Sequence, residues 1–195
     1  MSAQLPMTGI RVADFSWVGA GPFLTKPLAD HGADVVKVES RTRVDPIRSM
    51  APFRDGVKGA DRSGYFANRN SSKRSICLDL KHPRGRELAL RLIEVSDVVV
   101  NNFSPGTMDR LGLGYDASRA VRPDVIYLEM PMLGTEGPHR DCRDTGSPSR
   151  PPGDCSGSPV TRTLRPSAPA PTTPTMSPTR CTERLRCWLR CGSGA

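Results

Sequence analysis

Three short stretches of this 195-residue sequence hold the groups best suited to chemistry, and each has two readings. Val18-Gly19-Ala20-Gly21-Pro22 joins an apolar run to a helical pattern. Small residues there let a ligand approach the backbone, and a helix N-terminus favours an anion. The same glycines also serve a tight turn. The stretch is not GxGxxG, so it carries no dinucleotide fingerprint. Asn70-Ser71-Ser72-Lys73-Arg74-Ser75 puts two cations before a strand-like run. They read either as phosphate ligands or as a solvated basic edge that protects a strand from pairing. Asn102-Phe103-Ser104-Pro105-Gly106 reads as a site loop or as a plain helix start. His31, His82 and His139 lie far apart and read as surface residues. No nucleophile elbow, P-loop or metal-ligand cluster occurs. Cys181, Cys187 and Cys191 lack the CxxC pairing and the histidine partners of a zinc site, and read as incidental.

These loops need a scaffold, and the surrounding pattern predicts one. Residues 10–15 (IRVADF), 35–38 (VVKV), 75–80 (SICLDL), 97–100 (DVVV) and 125–128 (VIYL) suit strands. Pro22 is placed as the first residue of a helix striped by Phe23, Leu24, Leu28 and Ala29, with Pro27 as a kink and Gly32 as the stop. Pro83 opens a second helix, with Leu88, Leu90, Leu92 and Ile93 available to face a sheet. A short helix follows from residue 104 through Arg110. Residues 40–70 read as irregular, basic and turn-rich, the kind of long loop that is functional or mobile. Strands alternating with helices predict an α/β fold with a Rossmann-like parallel sheet and flanking helices. The ligand loops then fall beyond the carboxyl ends of the strands.

Composition divides the chain. All five lysines lie in residues 1–143. Residues 144–195 have no Lys, Ile, Phe or Tyr, yet hold nine of the 19 prolines, so they have little to bury against the entropy of ordering. Two segments are expected: a globular part over 1–143 and a Pro/Arg/Ser-rich, disordered tail over 144–195. The net charge of +8 partly reflects seven tail arginines against three tail acids. With 5% aromatics and no zinc-finger, RNP or helix-turn-helix pattern, nucleic acid is not the expected partner. No signal-peptide pattern and no membrane-length apolar run are present, so a cytoplasmic location and no membrane association are expected.

The order of the motifs is more specific than any one of them. Residues 9–39 (GIRVADFSWVGAGPFLTKPLADHGADVVKVE), 68–85 (NRNSSKRSICLDLKHPRG), 98–115 (VVVNNFSPGTMDRLGLGY) and 122–138 (RPDVIYLEMPMLGTEGP) resemble successive blocks of the family III CoA-transferases. That family, also called CaiB/BaiF, includes formyl-CoA and carnitine CoA-transferases and α-methylacyl-CoA racemase. The resemblance runs from about residue 9 to residue 143 and covers the N-terminal part of the family's large domain. It implies an enzyme that moves coenzyme A between an acyl-CoA and a carboxylic acid through an aspartyl intermediate. Coenzyme A and acyl-CoA are then substrates, with no prosthetic group, and the intact enzyme is expected to be an interlocked homodimer. Carried over by position, Val18, Gly19 and Ala20 line the CoA site, Leu78 and Lys81 meet its nucleotide end, and Arg110 helps hold its phosphates. Two positions depart from the formyl-CoA transferases. Ser40 stands where they carry arginine, with Arg41 next, and Pro131 or Met132 stands where they carry lysine. The acyl group is therefore expected to be neither formate nor oxalate.

After Arg143 the resemblance ends. The family continues with an aliphatic helix and its nucleophilic aspartate, whereas this chain continues Asp144-Thr145-Gly146-Ser147-Pro148. A one-base shift can turn the codons of residues 143–149 into RGYGLTI, those of 158–163 into TGYPD and those of 180–190 into LHGALAVLAAL. A frameshifted tail is therefore expected, with the aspartate hidden across the codons of Arg162 and Thr163. Asp141, Asp144 and Asp154 are not assigned as nucleophile, because their surroundings do not match the family block. The chain is expected to be a truncated, inactive CoA-transferase, with a racemase or a non-catalytic CoA-binding fragment as alternatives.

Overall fold

Two runs, Val12-Ala13 and Val98-Val99-Val100, are apolar without alternation and need cover on both faces, as in a parallel sheet. A computed structural model of the chain, describing residues 5–137, shows how that cover is supplied. The strands are β1 (Arg11–Asp14), β2 (Asp34–Glu39), β3 (Arg74–Cys77), β4 (Val98–Asn101) and β5 (Ile126–Glu129). They form one parallel sheet in the order β3-β2-β1-β4-β5. The helices are α1 (Ala20–Asp30), α2 (Gly64–Asn70), α3 (Pro83–Glu94), α4 (Thr107–Arg110) and α5 (Tyr115–Val121). Helix α1 packs on one side, against β1, β2 and β4. On the other side Ala89 and Ile93 of α3 join Ala13, Phe15, Val38 and Val99 in a core cluster that Met108 and Leu113 complete. The predicted fold class is thus the observed one.

Several local readings change. Pro22 is the third residue of α1, not the first, and Gly19 is the N-cap. Strand β3 stops at Cys77, and all four of its residues are exposed. Leu88 of α3 points outward at 37% exposure, because the inward stripe runs through Gly85, Ala89 and Ile93. Helices α2 and α5 have almost no apolar stripe, so periodicity does not reveal them. What starts α2 is a cap: the Ser63 hydroxyl accepts from the Phe66 N–H at 3.2 Å.

The segment between β2 and α2 is also better tied than its turn-rich sequence suggests. Arg48 forks onto Glu39 at 3.0 and 2.7 Å, pairs with Asp61 at 2.8 Å and lies over the Phe66 ring. Ile47 is fully buried, and its carbonyl accepts from the Ser63 hydroxyl.

Lys73 fits neither sequence reading. Its side chain is 1% exposed. Its ammonium reaches the Asp14 carboxylate at 3.1 Å, the Thr25 hydroxyl at 2.7 Å, the Pro22 carbonyl at 2.9 Å and the Asn70 side-chain oxygen at 3.1 Å. Asp14 is completely buried and also accepts from Thr25 and from the Ser16 N–H. One ion pair thus ties the end of β1, the first turns of α1 and the α2–β3 link. A buried ion pair needs such extra hydrogen bonds to offset desolvation. Arg74, by contrast, stays exposed and pairs with Asp34.

Two predictions follow from this packing. A Cβ on Gly85 would sit 2.0 Å from the Asp79 carbonyl oxygen, where α3 meets the chain leaving β3. Gly→Ala inside a helix ordinarily stabilises by about 1 kcal/mol. Here overpacking reverses the sign, and Gly85→Ala should lower stability by roughly 1–3 kcal/mol in urea unfolding. A higher midpoint would refute the contact. The second concerns Lys73. Burial pushes its ammonium down from 10.5 to about 8, against the charge and hydrogen bond of Asp14, which hold it up. Below about pH 8 both folded and unfolded chains keep the proton; between about 8 and 10.5 only the unfolded chain does. The unfolded state then binds more protons, so this group's contribution to stability rises with pH across that window. Wild type should gain stability from about pH 8 to about pH 10 relative to Lys73→Met. Parallel pH profiles would mean that Lys73 titrates normally in the folded chain.

Candidate functional site

In a parallel sheet the order β3-β2-β1-β4-β5 has a switch point between β1 and β4, where the chain leaves in opposite directions. The loops that diverge there are residues 15–19 after β1 and residues 102–106 after β4. They are held against each other by backbone-to-side-chain pairing. The Asn102 amide accepts from the Trp17 N–H at 2.8 Å and donates to the Trp17 carbonyl at 2.7 Å. The Trp17 and Phe103 rings meet edge to face, with centroids 5.7 Å apart. The Arg43 guanidinium lies 5.4 Å from the Trp17 centroid, within cation–π range.

The residues on either side of Trp17 are fixed from another direction. Lys37, in the middle of β2, is 1% exposed. Its ammonium donates to the Ser16 carbonyl at 2.7 Å and pairs with Asp45 at 3.2 Å. Asp45 is itself buried and accepts from the Val18 N–H at 3.2 and 3.4 Å. Val18 has a φ of 62°. A β-branched residue in the left-handed region is an outlier, and such a backbone costs roughly 1–3 kcal/mol. The residue is nonetheless 40% exposed at the loop surface.

The glycines that follow separate the two readings of the motif. A Cβ on Gly21 would lie 2.1 Å from the Ser16 Cβ, so that glycine is needed for the loop to pack on the helix. A Cβ on Gly19 would meet nothing within 4 Å, so the space above it is open. Gly19 caps α1 without a side-chain hydrogen bond. The first-turn donors of α1 without a side-chain cap are the N–H groups of Ala20 and Gly21, since Pro22 has none.

The other residues expected at the site also follow strand ends of the same sheet edge. Leu78 comes directly after β3, is 7% exposed and packs in the core cluster. Lys81 is exposed, and its N–H donates to the Asp79 carboxylate at 3.0 Å. Arg110 ends α4, is exposed, and donates to the Thr107 hydroxyl at 2.9 Å. Helix α4 starts one turn later than expected, with Gly106 as a left-handed N-cap. Among the described residues neither Lys81 nor Arg110 has an acidic partner within salt-bridge distance.

Glu39 ends β2, where a dinucleotide-binding fold would place a free acid for a ribose. Here Arg48 occupies it with two hydrogen bonds and Ser75 with one at 2.9 Å. Burial pushes the Glu39 carboxyl up, but the Arg48 and Ser75 hydrogen bonds and the Arg48 charge outweigh it and hold the group below its usual range. It is a tied structural carboxylate rather than a ribose acceptor.

Lys37 and Asp45 carry no role in the sequence reading, and Asn102 only a place in a candidate loop, although Lys37 offers a signal. A lysine flanked by valines in a central strand must find a buried counter-charge. Among the described residues no group of three or more His, Cys, Asp or Glu could hold a metal ion, and no helix is long and apolar enough to cross a membrane. His31 and His82 are exposed. His139, Asp141, Asp144, Asp154, the three tail cysteines and every expectation on 144–195 lie outside the described residues.

Comparison with known proteins gives this arrangement a family. The chain is 46% identical over 143 residues to an acyl-CoA transferase of Fusarium pseudograminearum, covering 71% of this chain and 31% of that protein. It is 48% identical over 126 residues to a succinyl-CoA:mesaconate CoA-transferase of Haloarcula hispanica, covering 64% and 31%. The crystal structure of a CaiB/BaiF family protein from Brucella suis matches with a TM-score of 0.65 at 36% identity, covering 71% of this chain and 36% of that one. The chain spans about a third of the length of the curated relatives it matches. A sequence model of CoA-transferase family III matches residues 7–147, well over half of the 195 residues, and the chain belongs to that family.

Proposed function

We propose that residues 1–143 supply the coenzyme A-binding part of an enzyme that transfers CoA from an acyl-CoA to a carboxylic acid. The observation that carries this reading is the switch-point loop. It combines an open space over Gly19, an exposed Val18 and uncapped helix N–H groups on one rigid edge. In this reading Val18, Gly19 and Ala20 hold the pantetheine arm, whose amides and methylenes suit a small-residue wall. Leu78 forms an apolar support near the nucleotide, while Lys81 and Arg110 meet its phosphates. Charge-assisted contacts of this kind are strong, and a guanidinium can bind a phosphate through two parallel bonds.

The chemistry is covalent catalysis by a carboxylate. An aspartate attacks the thioester carbonyl and expels the CoA thiolate, leaving a mixed anhydride. The thiolate returns to the aspartyl carbonyl and releases the donor acid. The acceptor carboxylate then repeats the sequence in reverse and leaves as the new acyl-CoA. None of the described aspartates is assigned as this nucleophile. We assign it to a part of the enzyme beyond the described residues, and read 144–195 as a frameshifted replacement for it. The 195-residue chain is then a binding fragment without turnover. An intact counterpart would act in the cytoplasm as an interlocked homodimer. A racemase would use the same CoA-binding part with acid–base groups in place of the nucleophile. The departures at Ser40 and Pro131 favour an acyl group other than formyl or oxalyl.

Two measurements test the reading. The purified 195-residue chain should be retained on CoA-agarose and released by free CoA but not by duplex DNA. Arg110→Ala and Lys81→Ala should each weaken CoA binding by roughly tenfold, the scale of one hydrogen bond to a charged group. Retention reversed by DNA alone would refute it. Mixed with an acyl-CoA and an isotopically labelled carboxylic acid, the chain should produce no labelled thioester. Sustained turnover would place the nucleophile within these 195 residues and overturn the inactive assignment.

A further inference from the structure

We infer that Asp45, locked by Lys37, is the positioning residue that keeps Val18 in its left-handed conformation and thereby shapes the crevice for its ligand. The inference rests on the reading of this crevice as a CoA site and adds a residue that acts on it without lining it.

Val18 is one of three non-glycine residues with positive φ among the described residues, and it is the β-branched one. Val18 is 40% exposed, so its side chain is not locked into the core. The restraint must therefore come through its peptide groups and those of its neighbours. Each one is taken. The Ser16 N–H goes to Asp14, the Ser16 carbonyl to Lys37, both polar groups of Trp17 to Asn102, and the Val18 N–H to Asp45.

Of these partners, Asp45 alone holds Val18 itself. It is also fixed on both oxygens. One oxygen accepts from the Ile47 N–H at 3.2 Å as well as from Val18, and the other lies 3.2 Å from the Lys37 ammonium. Ile47 is fully buried and anchors that turn in the core. The carboxylate therefore cannot swing away without uncovering a buried ammonium and releasing the start of the 3-10 turn at Pro46–Ser49. With the Val18 N–H held, the next peptide is aimed toward Gly19 and the open start of α1. Without it, Val18 relaxes toward negative φ, and the peptide that follows turns away from that orientation.

The test separates this role from general support of the fold. Removing Asp45 alone would strand the buried ammonium, so Lys37→Met is made in every variant. Asp45→Asn then keeps an acceptor oxygen for Val18, whereas Asp45→Leu has similar volume and none. In the full chain, free CoA titrated by calorimetry should bind the Leu variant at least about tenfold more weakly than the Asn variant. Adding Val18→Gly to both should close that gap to within about twofold, because glycine takes positive φ without restraint. A gap that survives Val18→Gly, or no gap at all, overturns the inference. Amide hydrogen exchange supplies a readout that needs no ligand. The Val18 N–H should exchange faster in the Leu variant than in the Asn variant, while core amides of β1 and β4 stay matched. Equal Val18 rates would overturn the clamp. If the wild-type chain takes up no CoA, the functional reading fails and the exchange rates still decide the role of Asp45.

Discussion

A lysine side chain buried in the middle of a parallel strand must bring its counter-charge with it, and much of this structure follows from meeting that demand twice. Lys37 enters from β2 and Lys73 from the turn before β3, and both side chains are 1% exposed. Each ammonium has hydrogen-bond partners on segments distant in sequence, because an unpaired buried charge would cost far more than a domain of this size can spare. Lys73 draws together the end of β1, the start of α1 and the end of α2. Lys37 draws the first loop of the sheet onto the turn at Asp45. The Lys73 pair also bonds α1 directly, through the Pro22 carbonyl and the Thr25 hydroxyl.

The architecture was legible because it depends on patterns that a single strand or helix carries in itself. The runs at β1, β2 and β4 are too apolar for a half-exposed sheet, and the prolines and glycines between them mark the crossings. Boundaries drifted by one to three residues, as they do where the last ladder bond rather than the residue type ends a strand. The elements that escaped, α2 and α5, are seven residues each and bury a cap or a serine rather than a stripe. The part of the site that rests on local sequence, the opening above Gly19, was one of two readings the motif left open. The part that rests on pairing across 27 residues, from Val18 to Asp45, could not. Nothing near Asp45 distinguishes it from a turn-forming aspartate until its partners are known, and Lys73 reads as a surface cation until Asp14 is seen beneath it.

The motif glycines show why composition leaves such sites ambiguous. Both Gly19 and Gly21 stand before or within the first turn of α1, and a sequence reading treats them alike. One faces open space and the other presses against Ser16. Glu39 makes the same point from the other side. Its place at the end of β2 is where a nucleotide-binding fold would use an acid, yet Arg48 and Ser75 consume it. The resemblance to a dinucleotide fold is therefore one of topology, and the chemistry of the edge differs because its charged groups already have internal work.

That internal work bears on how such a domain could be re-engineered. The segment between β2 and α2 looks like a surface excursion, the sort of loop one would graft from a relative to alter what the crevice accepts. It is anchored at Ile47 and Arg48 and reaches back through Asp45 to the first loop of the sheet. Its far anchor is a side chain on a strand that no loop graft would include. A transplanted segment would thus carry an aspartate whose lysine belongs to the recipient, or the reverse. The unit that can be exchanged between relatives is the loop together with position 37, and the crevice is modular only along that seam.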